Sequence, residues 1–289
     1  MKKWDIDEIR NKTKTPPKVS EDYRDIVKYG AMLGGYRVLK DALGQKFIDW
    51  HIDRRNELLK LTGWAQEDIE DHMYVDMLYG LNSIKKDKIN IIELGIGYAE
   101  PSLTFAGLLD NTNLFSDIKN YHIIGVDAEL NHFIWSKRQL QEQIKGSSDV
   151  IHAALSNYDG QIQFPQSCGN NEYGGYVGSG ESVDCIRLST LLDKFSINIV
   201  DVLHIDIQEQ ELNVIKDSLH LLDKINYMYI GTHKPEVHND LIEILTSTGL
   251  FDIILNIPHM SGAHIPEFGY YTTTYCFDGI IYCKRKNLI

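Results

Sequence analysis

From Ile89 onward the chain alternates short apolar runs of strand length with longer stretches of helical period. No other feature limits the fold as much. The runs occupy residues 89–94, 121–126, 150–155, 199–205, 227–230, 253–255 and 275–282. Strand, helix, strand repetition of this kind implies a mostly parallel sheet with helices on both faces. The supply of apolar residues is sufficient, since 43% of the 289 residues are hydrophobic and 24% charged, enough for a packed α/β core. Residues 20–86 have a different texture: Tyr23, Ile26 and Val27, then Leu33, Val38 and Leu39, then Phe47, Trp50, Leu58 and Leu59 recur at helical spacing. Ser20, followed by Glu21 and Asp22, is suited to cap the first helix. The expected division is a flexible arm over 1–18, containing Pro16 and Pro17, a helical extension over 19–87, and an α/β domain over 88–289.

Charge narrows the partners. Lys and Arg total 29 against 41 Asp and Glu, a net charge of −12, which argues against a nucleic-acid coat or an anionic membrane surface. The first residues, Met1-Lys2-Lys3-Trp4-Asp5-Ile6-Asp7-Glu8, lack the apolar core of a signal peptide, and no run reaches the roughly 18 apolar residues of a membrane span. A cytoplasmic location is expected. Cys168, Cys185, Cys276 and Cys283 form no Cys-x-x-Cys pair, so reduced thiols are expected rather than a zinc knuckle or a disulfide framework.

The stretch that bears most on chemistry is Ile91-Ile92-Glu93-Leu94-Gly95-Ile96-Gly97-Tyr98-Ala99-Glu100-Pro101-Ser102. Here a strand runs into Gly95-x-Gly97, and a helix starts near Pro101. Glycines at such a turn let the backbone bend sharply and let a ligand approach at the carboxyl edge of the sheet. A dinucleotide site calls for a third glycine where this chain has Glu100, and that carboxylate would face a pyrophosphate unfavourably. Glu93, ending the strand, suits a ligand with a cationic amino group, as S-adenosylmethionine has. The next strand ends Gly125-Val126-Asp127, placing an acid where ribose hydroxyls are bound. Asp127 follows Gly97 by 30 residues, against the usual ~20, and an extended crossover at 110–120 accounts for the surplus. Ala154 offers a small side chain beside an adenine ring. A fourth strand delivers Asp206, and a fifth leads to Gly231-Thr232-His233.

In chain order, Glu-Leu-Gly-Ile-Gly (93–97), Gly-Val-Asp (125–127), Ala-Ala-Leu-Ser-Asn-x-x-Gly (153–160), Leu-Ser-Thr-Leu-Leu-Asp (188–193) and His-Ile-Asp-Ile-Gln-x-x-Glu (204–211), followed by Asp278-Gly279 before an apolar strand, resemble an S-adenosylmethionine-dependent methyltransferase of the FkbM type over about residues 89–283. The resemblance implies a Rossmann-like seven-stranded sheet whose last strand is antiparallel. It also implies methylation of a hydroxyl on a sugar or sugar-bearing molecule. The family pattern has Gly-Ala where this chain has Glu209-Gln210.

Glu93, Gly95, Gly97, Asp127, Ala154 and Asp206 are thus the expected cofactor contacts. Asp206 and His233, at adjacent strand ends, are the expected catalytic pair, His233 serving as base because an ordinary imidazole titrates near neutrality. Asp206, His204, Glu211, His233 and His238 form a donor set for a divalent cation, magnesium being the ion some sugar methyltransferases use. Tyr173, Tyr176, Tyr270 and Tyr271 are candidates to stack on a sugar or shield the sulfonium. The helical extension is expected either to cap the pocket or to form a homodimer contact. Two other readings compete, a nucleotide-sugar oxidoreductase or epimerase on a dinucleotide fold and a non-catalytic cofactor-binding assembly protein.

Overall fold

The structure is a computed structural model that describes residues 66–111, 113–165, 175, 177–178, 180–259, 261–263, 274–276 and 278–289. The arm, the helices expected over 20–65 and the tyrosines Tyr173, Tyr176, Tyr270 and Tyr271 lie outside these residues. The described chain begins with α1 (Gln66–Ser83), then β1 (Lys88–Leu94), α2 (Glu100–Asn111), β2 (Asn120–Asp127), α3 (Leu130–Gln143) and β3 (Ser147–His152). After these come β4 (Ala154–Leu155), β5 (Gly160–Phe164), β6 (Glu181–Ile186), α4 (Leu188–Lys194), β7 (Val200–Ile205), α5 (Glu211–Asp217), β8 (Ile225–Thr232), α6 (Pro235–Thr248) and β9 (Phe251–Ile257). Two short strands, β10 (Ser261–Ala263) and β11 (Thr274–Cys276), precede β12 (Gly279–Arg285).

Seven strands form one sheet in the order β3-β2-β1-β7-β8-β12-β9. Contacts between β3, β2, β1, β7 and β8 are parallel, whereas β12 runs antiparallel to both β8 and β9. This is the expected α/β sheet with its last strand reversed. Every residue of β7 and of β8 is buried, as a central strand covered on both faces requires. On one face Ile91, Val202, Tyr227, Tyr229, Ile280 and Tyr282 meet residues of α1 and α2. On the other, Ile92, Leu94, Leu203, Ile205, Met228 and Ile281 meet α4, α5 and α6.

α1 lies within the region read from sequence as a separate extension, yet it packs in the same core as the sheet. Met73, Met77, Leu78 and Leu81 are fully buried, each contributing about 1.5–3 kcal/mol of apolar transfer. Glu70 and Tyr74 add polar contacts, because the Tyr229 hydroxyl donates to Glu70 Oε1 at 2.6 Å and the Tyr74 hydroxyl lies 3.1 Å from His204 Nε2. α6 starts with Pro235 in its first turn and stops at Gly249, whose φ of 66° is the left-handed cap that glycine adopts at little cost.

The expected run 150–155 divides into β3 and β4, and 275–282 divides into β11 and β12. β4, β5 and β6 form a separate three-stranded sheet absent from the sequence reading. Gln161 and Gln163 alternate with Ile162 and Phe164 in β5, whose mostly exposed surface leaves little apolar signal. No helix among the described residues is long and apolar enough to cross a membrane.

Candidate functional site

The turn after β1 is built from backbone that only certain residues tolerate. Gly95, Gly97 and Ala99 have φ of 82°, 52° and 64°, so the chain reverses its bend at alternate positions before entering α2. At Gly95 the need for glycine is twofold. A Cβ there would lie 1.8 Å from the Asp206 carbonyl oxygen, because Asp206 N–H donates to Leu94 O at 2.8 Å and holds the exit of β7 against the turn.

Acids surround this turn. Glu93 is buried and accepts from the Ser102 N–H at 3.1 Å and from the Ser102 hydroxyl, which ties the strand end to α2. Burial pushes its carboxyl well above the usual range, with Ser102 opposing the shift. Asp127 Oδ2 accepts from Gly97 N–H at 2.8 Å, and Oδ1 accepts from Glu129 N–H at 2.9 Å. Asp127 therefore links the glycine turn to the start of α3, where Glu129 caps the helix by accepting from His132 N–H at 2.7 Å. Burial pulls His132 down, but its hydrogen bond to Asp127 together with the charges of Asp127 and Glu129 outweighs this and leaves it raised. Ala154 is buried in β4 beside Ala128, Phe164, Val183 and Cys185.

Across the β1–β7 boundary, a second cluster forms where β7 and β8 end. His233 Nδ1 lies 2.8 Å from Glu211 Oε1, while Nε2 lies 3.2 Å from Asp206 Oδ1 and 3.7 Å from Asp278 Oδ1. The Gln208 side-chain amide is 2.9 Å from the same Nε2. His233 is only 9% exposed and Glu211 is fully buried. Burial alone would lower the imidazole, but hydrogen bonds and charge from Asp206 and Glu211 push it up to about 11. Burial likewise opposes ionisation of Asp206, and His233 reverses this, holding the carboxyl below its ordinary value. This bears on the expected base at His233: an imidazolium has no lone pair with which to take a proton, so a base role there requires that the proton leave first.

Two other expected donors are placed elsewhere. His204 stacks on Tyr229, ring centroids 4.3 Å apart, and burial lowers it to about 4. His238 is held by Thr232 Oγ1 at 2.8 Å and Asn256 Oδ1 at 2.7 Å, with burial lowering it too. Of the five donors read from sequence, Asp206, Glu211 and His233 come together, one ligand atom from each lying within 4.8 Å of the others. Asp278 and Gln208 join them, although neither was assigned a role from the sequence.

The loop joining the two clusters carries the departure from the family pattern. Gln208 and Glu209 have φ of 48° and 74°, so Glu209 stands in a left-handed conformation at the position where the pattern has glycine. Its carboxylate pairs with the half-exposed Lys234 at 2.5 Å. Glu209→Gly is expected to be more stable than Glu209→Ala by about 0.5–1 kcal/mol, since both lose the carboxylate and only glycine adopts this φ without strain. Urea unfolding of the two variants checks this, and an alanine variant as stable as the glycine one contradicts it.

A family model described as the methyltransferase FkbM domain matches residues 58–250. A search of curated proteins finds no match. Among solved structures, the METTL16 methyltransferase domain aligns at 13% identity over 92% of this chain and 81% of that one, with a TM-score of 0.46. The N-terminal domain of human METTL16 in complex with SAH aligns at 15% identity over 75% and 68%, with a TM-score of 0.43. Precorrin-6y C5,15-methyltransferase from Geobacter metallireducens GS-15 aligns at 10% identity over 72% and 86%, with a TM-score of 0.37. The family match covers well over half of the chain and includes both the glycine turn and the Asp206–Glu211 segment, so this protein belongs to the FkbM methyltransferase family and is an S-adenosylmethionine-dependent methyltransferase.

Proposed function

We propose that this methyltransferase transfers the methyl group to a hydroxyl oxygen of a sugar or sugar-containing small molecule in the cytoplasm. The observation that carries this reading is the wall shared by the two clusters. Asp206 lies with its backbone against the Gly95 turn and its side chain against His233. A cofactor in the turn would therefore present its methyl group toward a patch of carboxylate, imidazole and amide groups, which are partners for hydroxyls rather than for an apolar acceptor. A net charge of −12 also favours a neutral small molecule over an anionic polymer.

In this reading the backbone at Gly95 and Gly97 receives the methionine part, and Glu93 faces its cationic amino group. A cation beside Glu93 opposes the upward shift that burial causes. Asp127 retains lone pairs for the ribose hydroxyls, and Ala154 borders the adenine. The acceptor oxygen attacks the methyl carbon in line with sulfur. The O–C bond forms as the C–S bond breaks, giving a methyl ether, S-adenosylhomocysteine and a proton. Alignment supplies much of the rate.

The test is a calorimetric titration of S-adenosylhomocysteine, followed by labelled methyl transfer to a glycoside panel. Asp127→Ala is expected to weaken binding about 10–100-fold, the loss of one or two charge-assisted hydrogen bonds. Unchanged binding removes Asp127 from the cofactor site. Transfer to nitrogen acceptors in place of glycosides overturns the hydroxyl reading.

A further inference from the structure

The two oxygens of Asp127 are shared unequally. Oδ1 accepts from Glu129 N–H at 2.9 Å and lies 3.5 Å from His132 Nδ1, whereas Oδ2 accepts from Gly97 N–H at 2.8 Å. Each carboxylate oxygen has two lone pairs, so two donors fill Oδ1 and the acceptor capacity left for a ligand lies on Oδ2. A carboxylate only accepts, which puts the proton of this contact on Nδ1.

His132 is itself held in place. It is buried, and its ring meets Tyr98 edge-on with centroids 4.8 Å apart. Gln139, one turn further along α3, fixes Tyr98 by donating from Nε2 to the Tyr98 carbonyl at 2.9 Å. Tyr98 belongs to the turn that contains Gly97, so the imidazole is wedged between that turn and Asp127. The cap of α3 does not use the ring at all. It is made by the backbone N–H of His132, which donates to Glu129 Oε2 at 2.7 Å. The side chain therefore acts on Asp127 separately from the helix start.

We propose that His132 is a positioning residue for the cofactor: its Nδ1–H occupies Asp127 Oδ1 and thereby aims Oδ2 at a ribose hydroxyl of S-adenosylmethionine. The inference rests on the reading of Asp127 as the ribose-binding acid, and adds to it a residue that acts through that acid. Without the imidazole the carboxylate is free to turn about its Cβ–Cγ bond, and its bond to the ribose loses a fixed direction. A binding group is only as precise as the side chains that hold it.

Calorimetric titration of the full-length protein with S-adenosylhomocysteine and with its 2′-deoxy and 3′-deoxy analogues tests it. In wild type at least one analogue is expected to bind about 10–100-fold more weakly than the parent, the loss of a hydrogen bond to a charged group. His132→Gln brings no donor to the place of Nδ1. It is expected to weaken the parent about 3–10-fold and to leave that analogue's affinity unchanged, because the two changes remove the same interaction. His132→Asn, whose amide nitrogen takes the place of Nδ1, should bind the parent as wild type does. Ile134→Ala, on the exposed side of α3, is the control and binds all three ligands as wild type. A merely structural role for His132 weakens parent and analogue alike. That outcome, unchanged parent binding in His132→Gln, or an Asn variant no better than the Gln one each overturns the proposal. If Asp127→Ala loses the discrimination between parent and analogue while His132→Gln keeps it in full, the positioning role alone fails. If Asp127→Ala still discriminates, or wild type does not, the ribose reading of Asp127 fails and the inference with it.

Discussion

Gly95→Ala is expected to cost the fold about 2–5 kcal/mol and to remove S-adenosylhomocysteine binding. Two penalties add. Forcing an L-residue into the left-handed region costs roughly 1–2 kcal/mol, and here φ is 82°. The new methyl group would also lie 1.8 Å from the Asp206 carbonyl oxygen and 2.8 Å from its carbon. Both atoms belong to backbone that is itself bonded to Leu94, so neither rotates away, and overpacking of this kind typically adds 1–3 kcal/mol. Relief requires separating β1 from β7, which moves Asp206 with it. Gly249→Ala is the control: its φ of 66° is also left-handed, but open space surrounds it, so it should lose only about 1 kcal/mol and leave binding intact. Urea unfolding with calorimetry measures both. If the two variants are equally stable, the close approach at Gly95 is not what sets the cost.

His233→Ala in EDTA-treated protein is expected to destabilise by about 3–5 kcal/mol at pH 7, the usual range for breaking a buried ion pair, because it strands the fully buried Glu211 carboxylate. The effect should depend on pH in a definite direction. The folded-state value near 11 lies above the ordinary value of 6.5, so the stabilisation from the imidazolium is complete below about 6.5. It declines as pH rises from there through 11. The gap between wild type and variant should therefore narrow from pH 7 to pH 10. A gap that stays constant over that interval means that His233 is already neutral in the folded protein at pH 7.

The sheet was legible because its central strands are buried on both faces. Residues 89–94, 199–205 and 227–230 read as continuous apolar runs, and each matches a strand to within a few residues. β5 was not legible, since a short, exposed strand rich in glutamine leaves no apolar run. Within the candidate site, Gly95, Asp127 and Asp206 were recognisable from their positions at the ends of apolar runs. The charge state of His233 was not, because it depends on Glu211, a residue of a different element that only the turn over 206–210 brings to Nδ1. Asp278 was within reach of the same reasoning. A reversed last strand begins, rather than ends, at the carboxyl edge of its neighbours, so the residue just before it lies beside Asp206 and His233.

That reversed strand has a consequence for the order in which the protein assembles. β12 occupies the place between β8 and β9, although both precede it in the chain. The β8–β9 unit must therefore admit a third strand before the sheet is continuous, and Asp278 reaches His233 only at that step. β12 nevertheless pairs with near neighbours in sequence, Gly279 with Thr232 and Ile280 with Ile257, whereas the pairing of β1 with β7 begins at Ile91 and Val202. Loop entropy is lost before long-range contacts repay it, so the β8–β12–β9 side can form first, while the Gly95 turn, which leans on Asp206, awaits the pairing of β1 with β7.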